Sequence, residues 1–358
     1  MHKKLFIPGP VDVRPEVLQA MATPMIGHRS KDASALQRRI SEKLQKLFFT
    51  QNPILLSTSS GTGLMEGSIR SCTAKRAVVF SVGAFGDRWA ALAKANNVPY
   101  DLVKAEPGYP TLPEVVDQYL ATGKYDVFTI THNETSTGLM NPVAEIAEVK
   151  RKYPDVYWLV DAVSSMGGIK IPVDELGIDV CITSTQKCIG LPPGMSICSV
   201  SQRALEHART VSFRGAYLDL VELYDYLIKK DYQYPSTPSL SHMFALDLQL
   251  DYILNVEGLE KRYARHLEMA KVTRAWAREN FAVFPQTGYE SVTLTTITNT
   301  RGISVADLNK KLGEAGYQIS NGYGELKEKT FRIAHMAERT IDELKALLML
   351  IDTIVAQM

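Results

Sequence analysis

The sequence predicts an α/β protein whose larger part contains a mainly parallel sheet and whose C-terminal part is a smaller α+β domain. Short apolar runs alternate with helical patterns, which is typical of parallel strands joined by helices. Polar or glycine-rich loops follow several of these runs directly. The predicted strands are residues 54–56, 77–82, 127–131, 156–160, 180–183 and 195–200.

Two helices are predicted before the first of these strands. The chain begins with an extended strap, because Pro8-Gly9-Pro10 cannot be helical. A helical pattern starts at Pro15, a residue that suits the first turn of a helix. A second, amphipathic helix follows from Leu36 to Leu47, where apolar residues recur at helical spacing.

The pattern changes after about Leu240. One long helical pattern runs from Leu240 to Trp276, and an alternating strand at 291–298 follows it. The remaining predicted elements are a helix at 305–315, a strand at 330–333 and a helix from Ile341. We therefore predict an N-terminal strap at 1–14, a large domain at 15–245 and a small domain at 246–358, which are normal domain sizes.

Composition indicates an ordinary globular enzyme of 358 residues. The formal net charge is +1, from 40 basic and 39 acidic side chains, so no overall field favours nucleic acid or an anionic membrane. We expect neither as a partner. The four cysteines lie in or beside apolar segments without metal-type spacing, which favours reduced thiols and a cytoplasmic location. The early apolar stretch is broken too soon to be a signal peptide.

A lysine and an aspartate follow two of the predicted strands. Lys187 lies in the loop Ser184–Gly194 after the run at 180–183, and Asp161 comes directly after the run at 156–160. These residue types suit pyridoxal 5′-phosphate (PLP), because an amine can form its Schiff base and a carboxylate can keep its pyridine nitrogen protonated. The alternative is a surface lysine and an aspartate that caps a strand end.

A turn of small residues, Ser59–Gly63, follows the strand at 54–56 and precedes a helical pattern. Backbone N–H groups and hydroxyls at a helix N-terminus favour a bound phosphate. The turn lacks the ending of a P-loop and the spacing of a dinucleotide fingerprint, so a single phosphate is indicated. A plain tight turn remains the alternative.

A polar segment, Thr131–Gly138, begins at the end of the strand at 127–131. The carboxyl ends of strands are where open α/β sheets bind ligands. A solvated loop would have a similar composition. Its predicted position beside the phosphate turn, Asp161 and the lysine loop favours a role in a binding site.

These residues together resemble the class V aminotransferases, and they are most similar to the alanine–glyoxylate and serine–glyoxylate (serine–pyruvate) aminotransferases. The resemblance implies the large fold type of PLP-dependent transferases, with a mainly parallel seven-stranded sheet, and a homodimer with active sites at the subunit interface. It extends from about residue 5 to the C-terminus. The matching stretches are 8–10, 60–63, 132–138, 161–165, 184–187, 193–194 and 331–333.

The resemblance implies a role for each residue around the cofactor ring. Lys187 would bear the cofactor and carry the proton during transamination, and Asp161 would pair with the pyridine nitrogen. Phe85 would stack on one face of the ring and Val163 would pack on the other. Thr135 would lie near the ring hydroxyl.

The resemblance also implies how the phosphate is held. Tyr234 and Thr237 match residues that reach the phosphate of the neighbouring subunit. The residues of the same subunit that are expected near the phosphate are Ser60, Gly61, Thr62 and Gln186.

Substrate residues follow in the same way. Arg332 would bind the α-carboxylate, with Gly9 and His28 close to the substrate. The sequence offers no clear second cation for a side-chain carboxylate, although Arg29 and Arg214 stay open. We therefore expect alanine or serine as donor and glyoxylate or pyruvate as acceptor. The alternative donors within the family are aspartate, phosphoserine, ureidoglycine and 2-aminoethylphosphonate.

Two rival functions are compatible with the same fold. A cysteine desulfurase usually has histidine before the lysine and a mobile cysteine, whereas here Gln186 precedes Lys187 and no cysteine follows Cys198. Cys188 adjoins the lysine and is expected to pack as a small apolar residue. A PLP-binding subunit that serves a partner without turnover is the second rival.

Overall fold

The computed structural model describes residues 2–358, and its large domain is organised around a seven-stranded sheet. The strands of the chain are β1 (Lys4–Phe6), β2 (Ile54–Ser57), β3 (Ala77–Ser81), β4 (Tyr100–Lys104), β5 (Val127–Thr131), β6 (Asn133–Glu134), β7 (Leu139–Met140), β8 (Tyr157–Asp161), β9 (Val180–Ser184), β10 (Ser196–Val200), β11 (Ala282–Val283), β12 (Leu294–Thr298), β13 (Tyr317–Asn321) and β14 (Thr330–Ala334).

The order across the large sheet is β2-β10-β9-β8-β5-β3-β4. The strands β9, β8, β5, β3 and β4 are parallel, and β10 is antiparallel to both β9 and β2. The predicted mainly parallel sheet is therefore confirmed. The strand β4 was not predicted, because it is an edge strand whose Asp101, Leu102 and Lys104 are partly or fully exposed, and it therefore shows no continuous apolar run.

Helices cover both faces of this sheet. Because alternate residues of a strand point to opposite faces, Val78 and Phe80 enter one core whereas Val79 enters the other. The helices of the chain are α1 (Pro15–Met21), α2 (Lys31–Phe48), α3 (Gly61–Cys72), α4 (Ala84–Ala95), α5 (Pro113–Leu120), α6 (Val143–Lys150), α7 (Val173–Leu176), α8 (Gln202–Ala208), α9 (Leu220–Lys229), α10 (Leu240–Asp251), α11 (Leu259–Asn280), α12 (Val305–Glu314) and α13 (Ile341–Val355).

The small domain contains a five-stranded sheet in the order β1-β13-β14-β12-β11. Its first strand comes from the N-terminal strap, which pairs in parallel with β13. The strand β13 was not predicted from the sequence. Phe6, Phe331 and Ile333 pack with α11 and α13 in a separate apolar core, so the strap is tied to the small domain.

The long helix predicted from Leu240 to Trp276 is interrupted. A π-helical turn at Tyr252–Glu257 follows α10, and Gly258 then adopts a positive φ of 80° before α11 begins. Leu246 and Leu250 of α10 pack in the core of the large domain. The domain boundary at residue 245 falls inside this helix and remains a prediction.

All four cysteines are buried and unpaired. No helix within residues 2–358 combines the length and the apolar character that crossing a membrane requires.

Candidate active site

The carboxyl ends of three parallel strands bring the predicted site residues to one edge of the large sheet. In the strand register, Thr131 of β5 lies beside Asp161 of β8, and Asp161 lies beside Ile182 of β9. The loop after β9 carries Lys187. The polar segment after β5, the aspartate and the lysine loop are therefore neighbours, as the sequence predicts.

Lys187 is buried at this edge, with 9% of its surface exposed. Thr185 anchors its loop, since the backbone N–H donates to Met195 O at 3.1 Å and the hydroxyl donates to Pro192 O at 2.9 Å. The amine Nζ donates a hydrogen bond to Pro8 O of the strap. Burial lowers the pKa of the amine to about 8, so a substantial neutral fraction exists near neutral pH.

The strap can approach Lys187 because residue 9 has no side chain. Gly9 has a positive φ of 90°, and a Cβ atom there would lie 2.7 Å from Lys187 Cδ. Gly9 is therefore adjacent to the lysine, and its contact with the substrate remains a prediction.

Asp161 is the last residue of β8 and is buried. Within residues 2–358, the one hydrogen bond of its carboxylate is from the backbone N–H of Val163 to Oδ1 at 2.8 Å. Burial raises the pKa of the carboxyl to about 6. It is therefore mostly ionised at pH 7 and can accept a further hydrogen bond.

The predicted phosphate turn forms the N-terminus of α3. Ser60 is the N-cap residue, but its side chain makes no capping hydrogen bond. A Cβ atom at Gly61 would lie 2.6 Å from Val163 Cγ2, so this turn packs directly on the loop that follows β8. The first N–H groups of a helix have no partner within the helix, which makes this end an anion-binding position.

Three further residues are predicted near the phosphate. Gln186 accepts a hydrogen bond from Ser184 Oγ through Oε1, which leaves its amide N–H groups as donors. Tyr234 is buried, and its hydroxyl accepts from the backbone N–H of Thr58 of the same chain at 3.2 Å. Thr237 is exposed, and within the described residues it makes no side-chain hydrogen bond.

The ring of Phe85 is positioned by a buried glutamate. Glu134 accepts hydrogen bonds from the backbone N–H groups of Phe85 and Gly86, each at 3.0 Å, and from Ser136 Oγ at 2.6 Å. These N–H groups belong to the first turn of α4, where a carboxylate is favourable. Burial raises the pKa of Glu134, and these hydrogen bonds act in the opposite direction.

The polar segment after β5 is a buried supporting network rather than a solvated loop. Thr135 donates to Ser164 Oγ at 2.9 Å, and Asn133 donates to the same oxygen at 2.9 Å and to Thr293 Oγ1 at 3.1 Å. His132 hydrogen-bonds with a neighbouring serine, Ser165, at 2.9 Å, and burial lowers its pKa to about 4, so it is neutral.

Arg332 extends from β14 toward this network. Its Nη1 donates to Thr135 O at 3.1 Å, and its Nη2 donates to Asn321 O at 3.1 Å, so it bridges the two domains. Its guanidinium carbon lies 5.5 Å from the ring of Tyr323. Only 7% of it is exposed, and within residues 2–358 no carboxylate forms an ion pair with it. Burial lowers its pKa to about 10.

Within residues 2–358, the remaining candidates make no hydrogen bond to Lys187, Asp161 or Arg332. His28 is half-buried and makes no side-chain hydrogen bond among the described residues. Arg29 donates to Tyr234 O at 2.5 Å and to Pro235 O at 3.1 Å. Arg214 pairs with Asp219 at 3.0 Å. The two arginines that stayed open as a second substrate cation are thus engaged in contacts within the chain.

Sequence reasoning missed three residues. Glu134 lies within the predicted polar segment 131–138, but its contact with α4 has no signal in the sequence. Tyr323, whose ring lies 5.9 Å from that of Phe85, is in the loop after β13, a strand that was not predicted. Arg88 donates from Nη1 to Thr62 Oγ1 at 3.0 Å. Its spacing of three residues from Phe85 could have indicated a shared helix face.

Cys188, although next to the lysine, is not a reactive thiol. It is fully buried, and burial raises its pKa to about 12, so its thiolate fraction at neutral pH is negligible. The packing role expected from the sequence agrees with this environment. Within residues 2–358, no group of three or more metal-ligating side chains could hold a metal ion.

Comparisons with known proteins agree over nearly the whole chain. A family model described as aminotransferase class-V matches residues 15–345. An uncharacterized aminotransferase of Methanocaldococcus jannaschii is 40% identical over 344 residues, which is 94% of this chain and 88% of that protein. A protein described as the small subunit of a soluble hydrogenase, from Synechococcus sp., is 32% identical over 344 residues, which is 93% of this chain and 87% of that protein.

Proteins with a named donor and acceptor are also similar. The serine–glyoxylate aminotransferase of Arabidopsis thaliana is 31% identical over an alignment of 359 positions, which covers 96% of this chain and 87% of that protein. The crystal structure of the alanine–glyoxylate aminotransferase from Nostoc sp. has a TM-score of 0.93 at 26% identity. This alignment covers 99% of the present chain and 96% of the Nostoc chain.

Proposed function

The chain belongs to the class V aminotransferase family, and on that premise we propose that it uses PLP to transfer the amino group of alanine or serine to a 2-oxo acid such as glyoxylate or pyruvate. The observation that carries this proposal is that one sheet edge holds both a buried lysine and a buried carboxylate, and that the charge of a buried arginine without an acidic partner in the described chain also acts on the lysine.

The residues present fit PLP in charge and in position. Lys187 has a lowered pKa, Asp161 has spare acceptor capacity, and the N-terminus of α3 has uncapped donors. Each of these features is unfavourable or unexplained without a ligand. The residues that would hold the cofactor are Ser60, Gly61, Thr62 and Gln186 at the phosphate, Phe85 and Val163 at the ring faces, Thr135 at the ring hydroxyl, and Asp161 and Lys187.

When bound, PLP supplies a ring that withdraws electrons from the bond broken at the donor's Cα. Lys187 Nζ can take up and return the proton, because its pKa of about 8 lies close to neutral pH. Asp161, with a pKa of about 6, supplies the negative charge that favours a protonated ring nitrogen. The carbonyl of Pro8 accepts from Nζ and so limits where the amine points.

Arg332 would bind and orient the donor through its α-carboxylate. A guanidinium can hold a carboxylate by two parallel hydrogen bonds, which fixes orientation as well as affinity. A donor with a side-chain carboxylate would need a second cation, and Arg29 and Arg214 are both engaged elsewhere. This favours alanine or serine, as does the similarity to the Arabidopsis serine–glyoxylate and Nostoc alanine–glyoxylate aminotransferases.

The active unit would be a homodimer in which Tyr234 and Thr237 complete the phosphate site of the neighbouring subunit. The exposure of Thr237 supports this, whereas Tyr234 already contacts Thr58 of its own chain. Mixing Lys187→Ala subunits with Thr237→Ala subunits should restore activity, because one of the two sites then carries neither change. A fully active monomer at assay concentration would contradict the arrangement.

A half-reaction screen tests the substrate proposal. The PLP-loaded protein is mixed with single amino acids, and the loss of its visible absorbance band reports transfer of the amino group. Alanine and serine should react fastest. If aspartate, glutamate, phosphoserine or 2-aminoethylphosphonate reacts far faster than both, the donor assignment is wrong although the transaminase assignment stands.

A non-catalytic subunit is the second candidate, favoured by the name of the Synechococcus relative. The same screen separates the two functions, because such a subunit would bind PLP and show no spectral change with any amino acid. The intact set of Lys187, Asp161 and Arg332 favours turnover.

A further inference from the structure

Arg88 of α4 lies between the ring of Phe85 and Thr62 of the predicted phosphate turn. Its guanidinium carbon is 4.6 Å from the centre of the Phe85 ring, which is a stacking distance for a cation on an aromatic face. On its other side, Nη1 donates to Thr62 Oγ1 at 3.0 Å. The side chain therefore connects the first turn of α4 with the first turn of α3.

The charge of Arg88 is not neutralised by the chain. Within residues 2–358, no carboxylate lies within ion-pair distance of it. Its neighbour Asp87 is engaged with Lys104 at 2.9 Å and with Ser81 Oγ at 2.8 Å. A partly buried guanidinium without an acidic partner at a helix N-terminus is unfavourable by itself, because both groups are positive.

The contact with Arg88 also determines which hydrogen bonds the Thr62 hydroxyl can still make. A hydroxyl has one proton and two acceptor lone pairs. Because Thr62 Oγ1 accepts from Arg88, its own proton remains available to donate to a group at the helix N-terminus. Thr62 and the unpaired N–H groups of the first turn then act together as donors.

We propose that Arg88 is a positioning residue for the cofactor phosphate: it orients the Thr62 hydroxyl as a donor and adds a fixed positive charge beside the N-terminus of α3. This inference rests on the proposed use of PLP. A dianionic phosphate would balance the two positive features that the chain leaves uncompensated. Burial has the largest effect on the pKa of Asp161 and on that of Lys187. The positive charge of Arg88 acts to lower both pKa values, so its electrostatic field extends to these two residues.

A purely structural role predicts a different pattern. If Arg88 only supports the Phe85 ring, its loss should weaken every ligand that stacks on that ring. Pyridoxal has the same ring and aldehyde as PLP but no phosphate. Comparing the two ligands therefore separates a phosphate effect from a ring effect.

The experiment measures the Kd of the apoprotein for PLP and for pyridoxal from the visible absorbance band. Arg88→Met keeps the apolar stem and removes the charge and the donor. Its Kd for PLP should rise about 10- to 100-fold, the range for a lost hydrogen bond to a charged group. Its Kd for pyridoxal should change by less than about twofold. Lys94→Met on the exposed end of α4 is the matched control and should leave both values unchanged.

Thr62→Val tests the same contact from the other side and serves if Arg88→Met does not fold. It should also raise the Kd for PLP but not that for pyridoxal. Adding Arg88→Met to Thr62→Val should raise the Kd for PLP by a smaller factor than Arg88→Met does in the wild type, because the two residues act through one contact. Equal losses for PLP and pyridoxal, or an unchanged Kd for PLP, would overturn the inference while leaving the aminotransferase proposal intact. A wild-type protein that binds no PLP would overturn both.

Discussion

Two buried arginines, Arg332 and Arg262, have opposite electrostatic environments. Arg262 of α11 is fully buried and pairs with Glu338 at 3.0 Å and with Glu257. Its Nη2 also donates to Cys188 O at 2.6 Å, directly after Lys187. Arg332 is almost as buried, but its partners are the backbone carbonyls of Thr135 and Asn321.

The pKa values reflect this difference. For Arg262, burial acts to lower the pKa, but the two glutamates outweigh burial and the pKa is raised. For Arg332, burial dominates and the pKa is lowered to about 10. A buried cation with carboxylate partners contributes to the fold. A buried cation without them has an uncompensated desolvation free energy, which a bound anion can offset. Lys187 belongs with Arg332 in this comparison, since it too has no carboxylate within ion-pair distance in the described chain.

The largest effect is expected for Lys187→Ala. Transamination should fall by about 10⁴-fold or more, because the group that carries the proton is lost. The stability of the apoprotein should not fall, since a costly buried charge is removed. Steady-state turnover and urea unfolding measure the two quantities.

Lys150→Met is the control for that prediction. Lys150 of α6 is a second buried lysine, whose Nζ donates to Tyr153 O at 3.1 Å. Among the charged groups that act on it, Asp179 has the largest effect, and Asp179 precedes β9, whereas Lys187 follows β9. Its replacement should leave turnover unchanged. If Lys187→Ala keeps substantial turnover, the grouping of Lys187 with Arg332 as a buried cation that serves catalysis is wrong.

Arg262→Met should have the second largest effect, on stability. Removing the cation takes the closest cation from Glu338 and a donor from the buried carbonyls of Gly167 and Cys188, which costs about 3–5 kcal/mol. Glu257 keeps Arg265 at 2.6 Å. Urea unfolding of the apoprotein measures this loss. Adding Glu338→Gln should recover part of it, because the carboxylate that loses its closest cation is then neutral. If Arg262→Met alone were as stable as the wild type, Arg262 would not be a structural cation and the contrast with Arg332 would be wrong.

Arg332→Lys should reduce kcat/KM by about 30- to 1,000-fold, or about 2–4 kcal/mol of transition-state binding. An ammonium cannot reproduce two parallel hydrogen bonds to a carboxylate. The loss should be similar for each α-amino acid, since all share the carboxylate. Unfolding stability should change by less than about 1 kcal/mol. A stability loss as large as that of Arg262→Met would show that Arg332 is structural as well.

The smallest effect is a pH dependence of apoprotein stability. Burial lowers the Lys187 pKa from 10.5 to about 8, so between these values the unfolded chain binds more protons than the folded one. Stability should therefore rise with pH from about 8 to 10.5, by about 2–3 kcal/mol relative to Lys187→Met. Urea unfolding of both proteins across that range measures it. A constant difference would mean that the amine is not desolvated.

Much of the site was predictable because its residues follow strands. Asp161 and Lys187 stand at or after apolar runs, and topology alone brings such positions together. The strand β4 could not be predicted in the same way, because its partly exposed edge position allows Asp101 and Lys104 within it. Arg88 and Tyr323 depend on how α4 and the loop after β13 pack, which neither composition nor periodicity reveals. The break at Gly258 was hidden because apolar spacing continues on both sides of it.

The central claim is that Lys187, a buried and unpaired cation, bears the cofactor. Reduction of the PLP-treated protein with borohydride, followed by peptide mass mapping, tests it most directly, because reduction makes a Schiff base permanent. The account predicts one phosphopyridoxyl group for each chain, on Lys187, and none on Lys187→Ala. Label on another lysine, or a wild-type protein that takes up no label, would contradict it.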